Sequence, residues 1–539
     1  ENPFKTRSIA NAAFKVDKLP YPLASKSLPE MEKVDGLGKS IATKVWTLVN
    51  TNSIPELNDL INQTPPGIIE MMQIKGLGPK KIISLWKEMG IENVGELYYA
   101  CNENRLIEAR GFGLKTQEEI KRIIEFNMDS NGRFLFARVE SFAEDLLKNI
   151  KATLNTELSF FTGQYRRRSE IIDSLDILVA AKFNNEISSS LESIGLLFTD
   201  QKDNEITCET EFGISIKLKF CNLVDLGWEL IGNTGNQEHV AVLSSLLEGK
   251  DVVGMTENEI YQVAGIPFIE PELREGTNEF ELAKDNKLPE LIEYNDLKGC
   301  LHNHSTWSDG VHTLEEMALF CRDELKLEYF GICDHSKSAF YANGLNEIRV
   351  AAQQREIEEL NKKLTPFHIF KGIESDILYD GSLDYPDEVL STFDFVVASV
   401  HSVLKMSQEK ATERLIKAIE NPFTTILGHP TGRLLLSRSG YPIDHKKVID
   451  ACASNNVIIE INANPLRLDL DWRWHQYAVE KGVLLSINPD AHRQEGFYDM
   501  HYGVLVARKG GLSRKNCLNA MNLAEIRSVF ENKKSSRRY

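Results

Sequence analysis

Two histidines separated by one residue lie in the most chemically informative stretch of the sequence, LHNHSTWSDG, at positions 301–310. In a β-strand, residues i and i+2 project from the same face, so His302 and His304 would point together. Asp309 follows closely enough to turn back toward them. Imidazoles and a carboxylate gathered in this way predict the start of a metal site. An isolated pair of this kind more often has one exposed histidine and one satisfied core histidine.

Further candidate ligands favour the metal site, because they follow apolar, strand-like runs one after another. The runs are LEYFGIC, FHIFKGI, FVVASV, TTILG and VLLSI. The candidate ligands after them are His335, Glu374, His401, His429, Asp490 and His492. Since (β/α) barrels collect functional side chains at the carboxyl ends of their strands, one ligand set per strand end predicts a barrel-type site.

Mixed imidazole and carboxylate ligands suit Mn²⁺, Zn²⁺ or Fe²⁺ better than Mg²⁺. Closely spaced divalent ions polarise phosphoryl oxygens, lower the pKa of a bound water and offset charge on a leaving oxygen. The predicted chemistry is therefore phosphoester hydrolysis. Arg433, four residues after His429, is a candidate phosphate contact, with a salt bridge as the alternative explanation. Asn462 and Asn464 are candidates for the mouth of the site.

The segment that must position these residues runs from about Asp296 to Tyr539. At least seven strand-like runs alternate there with amphipathic stretches. One of these stretches, TLEEMALFCRDEL, begins with a capping box formed by Thr313 and Glu316. The alternation predicts parallel strands covered by helices.

Length and composition limit the class of protein. A chain of 539 residues predicts several domains, because single cores rarely grow past about 250 to 300 residues. Its 42% hydrophobic and 26% charged residues are ordinary for a soluble protein. Neither an apolar run near the ~20 residues of a membrane span nor a secretory signal is evident. The eight cysteines show no framework spacing, so we expect reduced thiols, a cytoplasmic location and no membrane partner.

The net charge of −17 argues mildly against a nucleic-acid partner. The charge is unevenly distributed, however. Residues 251–296 carry a conspicuous acidic excess, whereas the first 150 residues are near balance with clustered basic positions. We therefore expect local basic surfaces and an acidic hinge.

Glycine-turn repeats in the first ~125 residues supply a reason for such basic surfaces. VDGLGKSIATKV, IKGLGPKKIISLW and the weaker ARGFGLKTQEEI each place GxG before an amphipathic helix. Glycine turns bring helix N-terminal amides close to an anion, and a DNA phosphate is the natural occupant. A single GxG is usually only a helix-ending turn, but three copies with basic neighbours predict DNA binding. The candidate contacts are Gly36, Gly38, Lys39, Gly76, Gly78, Lys80, Lys81, Arg110, Gly111, Gly113 and Lys115.

From about Ile150 to Ser245 the pattern changes to short strands with intervening helix, including TGQYRRRSEIIDSLDILVAAKF, EFGISIKLKF and NTGNQEH. With these segments, and the glycine turns before them, the chain resembles bacterial family X DNA polymerases (PolX) that carry a C-terminal PHP (polymerase and histidinol phosphatase) domain. The resemblance covers essentially the whole chain. It implies a helical lyase-like domain with helix-hairpin-helix motifs over 1–85, fingers with a further motif over 86–149, an α+β nucleotidyltransferase-like palm over 150–233, a thumb and acidic linker over 234–295, and a distorted (β/α)7 PHP metallophosphoesterase barrel over 296–539.

The sequence departs from the family pattern in the palm. Family palms carry GSxRR, an Asp-x-Asp strand and a third Asp on a neighbouring strand, and these carboxylates hold two divalent ions. Here GQYRR keeps Gly163, Arg166 and Arg167, while the paired position reads SLD and retains only Asp176.

The position of the third carboxylate falls at Lys217 in ISIKLKF. A lysine places positive charge where two cations should lie, which is strongly repulsive at short range. The neighbouring Asp173 is not an evident substitute, because on a period-two strand it faces away from Asp176. We predict a vestigial nucleotide site and a palm that has lost nucleotidyl transfer.

The resemblance also implies roles for individual residues. Lys44 in SIATKV matches the lysine that some relatives use as a Schiff-base lyase nucleophile, although helix lysines are mostly solvated surface groups. The PHP pattern assigns one ion to His302, His304, Glu374 and Asp490, a second to Glu374, His401 and His429, and a third to Asp309, His335 and His492. Three divalent ions, Mn²⁺ or Zn²⁺ with Fe²⁺ as the alternative, are therefore expected. His302, His304 and Arg433 are the catalytic candidates.

A phosphoester-cleaving domain joined to modules that grip DNA predicts a DNA repair enzyme. Among relatives this implies a manganese-dependent 3′-5′ exonuclease on gapped, nicked or 3′-end substrates, with abasic endonuclease and 3′-phosphatase action in base excision repair. We expect a monomer. The alternatives are a gap-filling polymerase with an editing PHP domain, and a small-molecule phosphatase of the histidinol-phosphate kind.

Overall fold

The structure is a computed structural model that describes residues 3–74, 76–107, 109, 111–128, 132–183, 187–210 and 213–536. The chain divides into two compact units. The first comprises residues 1–73 and 77–94, and the second comprises residues 74–76 and 95–539. Within the described ranges, no helix is long and apolar enough to cross a membrane.

The first unit is helical. Its helices are α1 (Pro3–Asp17), α2 (Leu28–Met31), α3 (Lys39–Thr51), α4 (Pro55–Asn62), α5 (Pro66–Met71) and α6 (Pro79–Ile83). Leu23, Met31, Leu37 and Ala42 form a small buried cluster between them.

The glycine turns take the geometry that their spacing predicts. Gly36, Gly76 and Gly111 have positive φ angles of 87°, 93° and 89°, in the left-handed region that glycine adopts without strain. The second glycine of the first two turns, Gly38 or Gly78, is the N-cap of the helix that follows.

The second unit begins with helices and a mixed sheet. Its first helices are α7 (Val94–Asn102), α8 (Leu114–Met128), α9 (Phe136–Thr153), α10 (Gly163–Arg166), α11 (Ile187–Glu192), α12 (Leu226–Thr234), α13 (Gln237–Leu246), α14 (Glu257–Ala264) and α15 (Glu279–Lys284). Its first strands are β1 (Phe134–Leu135), β2 (Ser159–Phe161), β3 (Ile171–Ile172), β4 (Ser174–Ala180), β5 (Leu197–Lys202), β6 (Glu205–Glu209) and β7 (Ser215–Cys221).

Five of these strands form one sheet in the order β2-β4-β7-β6-β5, in which only the β4–β7 pair is parallel. Helix α9 covers it with a buried stripe at helical spacing, namely Phe136, Val139, Ala143, Leu146 and Ile150. The sheet and its helix make an α+β layer, as the sequence predicted for this region.

The segment that the charge distribution suggested as a hinge forms a packed helical layer. Ile260 and Tyr261 of α14 and Phe280 of α15 are buried in one apolar cluster. Glu272 is buried too and accepts a 2.7 Å hydrogen bond from Arg508 Nε. These contacts tie the acidic segment to a helix near the C-terminus.

The remaining chain alternates strand and helix. Its strands are β8 (Gly299–Cys300), β9 (Tyr329–Ile332), β10 (His368–Lys371), β11 (Glu374–Asp376), β12 (Val397–Ser399), β13 (Ile426–Leu427), β14 (Ile458–Asn462) and β15 (Leu485–Asn488). Its helices are α16 (Leu314–Asp323), α17 (Glu347–Leu364), α18 (Asp387–Leu390), α19 (Gln408–Ile419), α20 (His445–Asn455), α21 (His475–Glu480), α22 (Met500–Lys509) and α23 (Leu523–Ser536). Helix α16 begins with the predicted Thr313–Glu316 capping box.

These strands are parallel, as predicted, but their ladders do not close into the expected barrel. They form a three-stranded sheet in the order β10-β9-β8 and a five-stranded sheet in the order β11-β12-β13-β14-β15. The strands are only two to five residues long, so their ladders end before the two sheets meet. Isolated parallel bridges at Asn303–Ala491 and His335–Glu374 link the sheets instead.

Candidate metal centre

The candidate ligands predicted from the sequence lie together at the carboxyl ends of the parallel strands. His302 and His304 follow β8, His335 follows β9, and Glu374 begins β11. The other side chains follow β12, β13 and β15, and they are His401, His429, Asp490 and His492. Asp309 lies in the loop after His304, and no side chain of the set is more than 10% exposed.

Glu374 is the centre of this cluster. Its Oε1 lies 3.2 Å from His302 Nε2 and 3.1 Å from the Nε2 atoms of both His401 and His429. Its Oε2 lies 2.9 Å from His335 Nδ1. One carboxylate therefore contacts imidazoles that come from four different strand ends.

Two further carboxylates complete the cluster. Asp490 Oδ1 lies 3.1 Å from His304 Nε2 and 3.6 Å from His302 Nε2. The Asp309 oxygens lie 3.5 Å from His335 Nε2 and 3.4 Å from His492 Nε2.

The potential ligand atoms fall into three groups, each spanning less than 4.8 Å. The groups are His302, His304 and Asp490; His335, Glu374 and His401; and His304, Asp309, His335 and His492. They overlap with the three sets implied by the family resemblance without matching them, because His304 and His335 each belong to two groups.

Polar atoms that lack a well-formed hydrogen bond make these residues suited to metal ions. Within the described chain, six buried ring or carboxylate atoms of the cluster make no hydrogen bond of good geometry, although an ion-pair partner is close to several of them: His302 Nε2, Asp309 Oδ2, His335 Nδ1, Glu374 Oε2, His429 Nδ1 and His492 Nε2. An unsatisfied buried polar group costs about 1 to 3 kcal/mol, more when it is charged. Divalent ions that coordinate these lone pairs would remove this cost.

Two buried carboxylates orient imidazoles of the cluster through the Nδ1 atom of the ring. His302 Nδ1 lies 2.7 Å from Glu460 Oε1, and His401 Nδ1 lies 2.5 Å from Asp376 Oδ1. Such a carboxylate fixes the ring and its tautomer, so that Nε2 keeps its lone pair for a metal. Sequence reasoning missed both acids. Asp376 lies two residues after Glu374 on one strand, and Glu460 lies two residues before Asn462 on another. Because residues two apart on a strand share a face, this spacing could have identified both acids.

The cluster balances charge internally. Burial opposes ionisation of Glu374, but the imidazoles of His401, His302 and His335 outweigh it and hold the pKa of this carboxyl well below its usual range. Burial likewise disfavours imidazolium, but Glu374 and Asp376 raise the pKa of His401 to about 9. The Asp309 carboxylate likewise raises the pKa of His492 to about 9 against burial.

Residues from the helical segment 95–107 also reach this cluster, which sequence reasoning did not foresee. Tyr99 donates from its hydroxyl to Asp490 Oδ2 at 3.5 Å and accepts a 2.6 Å hydrogen bond from Arg467 Nε. Asn104 donates to the Asp309 carbonyl at 3.3 Å. A helix that belongs to the front of the sequence therefore forms one wall of the candidate centre.

Arg433 is engaged by the loop that follows β14. Its guanidinium donates to Asp471 at 2.5 Å, to the Arg467 carbonyl at 2.9 Å and to the Leu468 carbonyl at 2.5 Å. The salt bridge, which the sequence left as the alternative, accounts for this residue, and a phosphate contact is not needed to explain it.

The palm places Lys217 directly opposite Asp176 on the parallel β4–β7 pair. Ser174 donates a 2.8 Å hydrogen bond to the Asp176 carboxylate. Gly163 packs against that carboxylate, since a Cβ at this glycine would lie 2.2 Å from Asp176 Oδ2.

The palm arginines are held by carboxylates of the acidic segment. Arg166 pairs with Glu257 and donates to Thr234 Oγ1 at 2.8 Å. Arg167 donates from Nε to Glu275 at 2.8 Å. The phosphates of a nucleoside triphosphate would have to compete with these glutamates for the two arginines.

The other predicted site residues lie in or beside the first unit and at the start of α8. Lys44 pairs with Glu56, which holds its ammonium in an ion pair. Lys39 and Lys80 lie exposed in the first turns of α3 and α6, and Lys115 lies exposed in the first turn of α8. Arg110 lies outside the described residues.

Replacing the central carboxylate should remove metal. We expect Glu374→Gln to lose most of its bound ions, because the amide cannot supply an anionic oxygen. Glu460→Gln should weaken metal affinity by about 10- to 100-fold through the orientation of His302. Elemental analysis and competition with a chelator would measure both effects. His368→Asn, in a histidine on β10 that is not part of the cluster, is the matched control. Equal metal content in Glu374→Gln and the control would contradict the assignment.

Metal binding should release protons. At pH 8, below the pKa of about 9 of His401 and His492, the metal-free cluster carries protons that coordination must displace. Affinity should therefore rise with pH up to about 9 and fall as pH drops. Calorimetry at pH 8 in two buffers of different ionisation enthalpy would measure the release, at least about two protons per chain, because the pKa values of His302 and His335 are raised as well. A binding heat that does not depend on the buffer would disagree with this expectation.

Comparisons with known proteins agree with this geometry. The SAM-like helix-hairpin-helix tandem family matches residues 68–125. The "DNA polymerase/3'-5' exonuclease PolX" of Bacillus subtilis (strain 168) is 32% identical over 554 aligned residues, which cover 98% of this chain and 96% of that protein. A "Probable phosphatase" of Acetivibrio thermocellus is 29% identical over 38% of this chain and 84% of its own length. A probable phosphatase of Thermoanaerobacter sp. (strain X514) is 29% identical over 33% of this chain and 74% of its own length. Along the sequence, a mixed sheet is followed by parallel strands, and the Bacillus subtilis relative matches over nearly its full length. The chain therefore belongs to the PolX family of DNA polymerase/3′-5′ exonucleases.

Proposed function

We propose that this chain is a DNA repair enzyme that hydrolyses phosphodiester bonds at its C-terminal metal centre, as a 3′-5′ exonuclease on gapped, nicked or 3′-ended DNA. The ligand set suits three divalent ions, Mn²⁺ or Zn²⁺. Abasic endonuclease and 3′-phosphatase action on the same substrates belong to this proposal.

The observation that carries the proposal is the position of the helix-hairpin-helix segment. Residues 95–125 of the matched 68–125 region belong to the same compact unit as the metal ligands. Tyr99 and Asn104 in this segment hydrogen-bond to Asp490 and Asp309. A motif of the kind that holds a phosphate backbone therefore lies directly beside the candidate catalytic centre. A DNA strand that reached the motif would enter the metal cluster.

We further propose that the C-terminal strands are a distorted barrel. β10 and β11 are separated by two residues and act as one strand, which gives a seven-stranded ring. The bridges Asn303–Ala491 and His335–Glu374 support the closure at both junctions between the sheets. Both bridges involve or adjoin metal-ligand positions, so the irregular closure coincides with the site.

Each group of residues would then have a defined task. Divalent ions bound there would supply Lewis acidity to the phosphoryl oxygens and charge to offset the leaving oxygen. The carboxylates that would hold the ions are Glu374, Asp490 and Asp309. Two further carboxylates would keep the imidazole rings oriented toward the ions, Glu460 for His302 and Asp376 for His401. The helical wall and the short loops would keep bulk water from the ligands, which are almost fully buried.

The palm would serve as a scaffold. Lys217 opposite Asp176, and the ion pairs of Arg166 and Arg167 with glutamates, support the loss of nucleotidyl transfer. With a lysine in place of a carboxylate ligand, two closely spaced cations are not balanced.

A small-molecule phosphatase is the second candidate, since relatives named as probable phosphatases match about a third of the chain. Rapid turnover of histidinol phosphate by a protein without DNA affinity would favour it.

The nuclease proposal predicts a clear loss of function. The purified protein should shorten a 5′-labelled, 3′-recessed strand with Mn²⁺, and His302→Ala with His304→Ala should reduce the rate at least about 100-fold because the ions lose ligands. DNA binding, measured by fluorescence anisotropy, should persist. His368→Ala with His445→Ala is the matched control, because both histidines lie outside the cluster. Unchanged nuclease activity in the ligand variant would indicate a contaminant or another site.

The palm proposal predicts no templated synthesis. Primer extension with dNTPs and Mg²⁺ or Mn²⁺ should proceed no faster in the natural chain than in Asp176→Ala, because the remaining carboxylate cannot hold two ions alone. The assay should be run in the His302→Ala/His304→Ala background, so that strand degradation does not hide synthesis. Extension that depends on Asp176 would refute the proposed loss.

A further inference from the structure

Arg105 lies in the turn after α7 and points toward the metal cluster. Its guanidinium carbon lies 4.3 Å from the centre of the Tyr341 ring, and that ring is 6.1 Å from the ring of the ligand His335. The Arg105 side chain is 21% exposed, so a ligand can reach it. Arg105 therefore belongs to the segment 95–107, here called the front segment, and lies at the edge of the C-terminal site.

Nearby groups, Tyr341 and Glu103 first among them, raise the pKa of Arg105 against burial, but its guanidinium keeps unused hydrogen-bonding capacity. Its Nε is buried and has no hydrogen-bond partner among the described residues. Its charged neighbour Glu103 is 3.6 Å from NH1, beyond hydrogen-bond range, and the same carboxylate also faces Arg467 at 3.8 Å. One carboxylate is thus shared between two guanidinium groups.

Bound metal ions would weaken this stabilisation of Arg105. Asp309 contributes attraction to Arg105 in the metal-free cluster, but as a metal ligand its charge would be used by the ions. A guanidinium beside several divalent cations is stable only if an anion lies between them. The anion that a phosphoesterase brings to this position is its substrate.

We propose that Arg105, held over the Tyr341 ring, binds a phosphate of the DNA strand as the strand enters the metal centre. This inference rests on the proposed nuclease function. A planar guanidinium fork matches a phosphate with two parallel hydrogen bonds, and the aromatic ring beneath it fixes the plane of the fork. The front segment would thereby complete the substrate site of the C-terminal domain, and Arg105 would be a specificity residue for nucleic acid rather than a metal ligand.

The test compares Arg105→Gln, Arg105→Lys and the matched control Arg355→Gln, which removes an exposed arginine of α17 outside the helix-hairpin-helix segment and the metal cluster. The probe is a fluorescent single strand with a hydrolysis-resistant phosphorothioate at its 3′-terminal linkage. We expect Kd for this probe, and KM for the unmodified strand, to rise about 10- to 100-fold in Arg105→Gln, the range for charge-assisted hydrogen bonds. Arg105→Lys should recover part of the loss, because it keeps the charge without the fork. Metal content and Tm should match the natural chain.

Two results would overturn the inference. One is an Arg105→Gln protein that binds the probe as well as Arg355→Gln does. The other is weaker binding that follows a loss of metal or of thermal stability, because Arg105 would then support the fold or the ligands. Failure of the nuclease proposal looks different: the natural chain would bind the probe but leave the unmodified strand intact. Weaker probe binding by Arg105→Gln would still uphold the phosphate contact in that case.

Discussion

The need to match buried charge with buried countercharge governs the C-terminal half of this protein. Glu374 is 1% exposed and lies within about 3 Å of four imidazoles. A lone carboxylate in that position would be strongly disfavoured, and the surrounding histidines would be equally unfavourable without it. The cluster is therefore stable only as a set, with Glu460 and Asp376 as its outer members, and divalent ions would replace the protons that now complete the balance.

The same constraint explains how the polymerase-like sheet and the C-terminal strands are held in one unit. Glu257, Glu272 and Glu275 are carboxylates of the acidic segment, and each pairs with a cation. Glu257 binds Arg166 of the palm, while Glu275 binds both Arg167 of the palm and Lys509 of α22. Breaking a buried pair of this kind leaves an uncompensated charge. Palm arginines that the family resemblance links to a nucleotide thus act here as internal links.

The wall made by residues 95–107 gives the front of the chain a direct part in the candidate site. Tyr99 contacts Asp490 and Asn104 contacts the Asp309 backbone, while the Arg105 guanidinium lies over the Tyr341 ring. The part of the chain that precedes the parallel strands therefore supplies one side of the candidate site.

The sequence by itself determined the candidate metal ligands and the family. Histidines and carboxylates at strand ends, such as His302 with His304 and Asp490 with His492, are recognisable because a strand sets the direction of its side chains locally. The glycine turns were predictable for the same reason, since a positive φ at Gly36 is a local requirement. The position of Lys217 beside Asp176 followed from the family pattern, which has a third carboxylate at that point of the neighbouring strand.

Only the tertiary structure decided which distant residues meet. The grouping of His304 with Asp309, His335 and His492, the support of His302 by Glu460, and the approach of Tyr99 and Arg105 join residues up to several hundred positions apart. The same is true of Arg433, whose guanidinium is held by Asp471 and by the carbonyls of Arg467 and Leu468. Spacing along a chain fixes local direction but not long-range contact, which depends on how the strands pack and on which buried charges must find a partner.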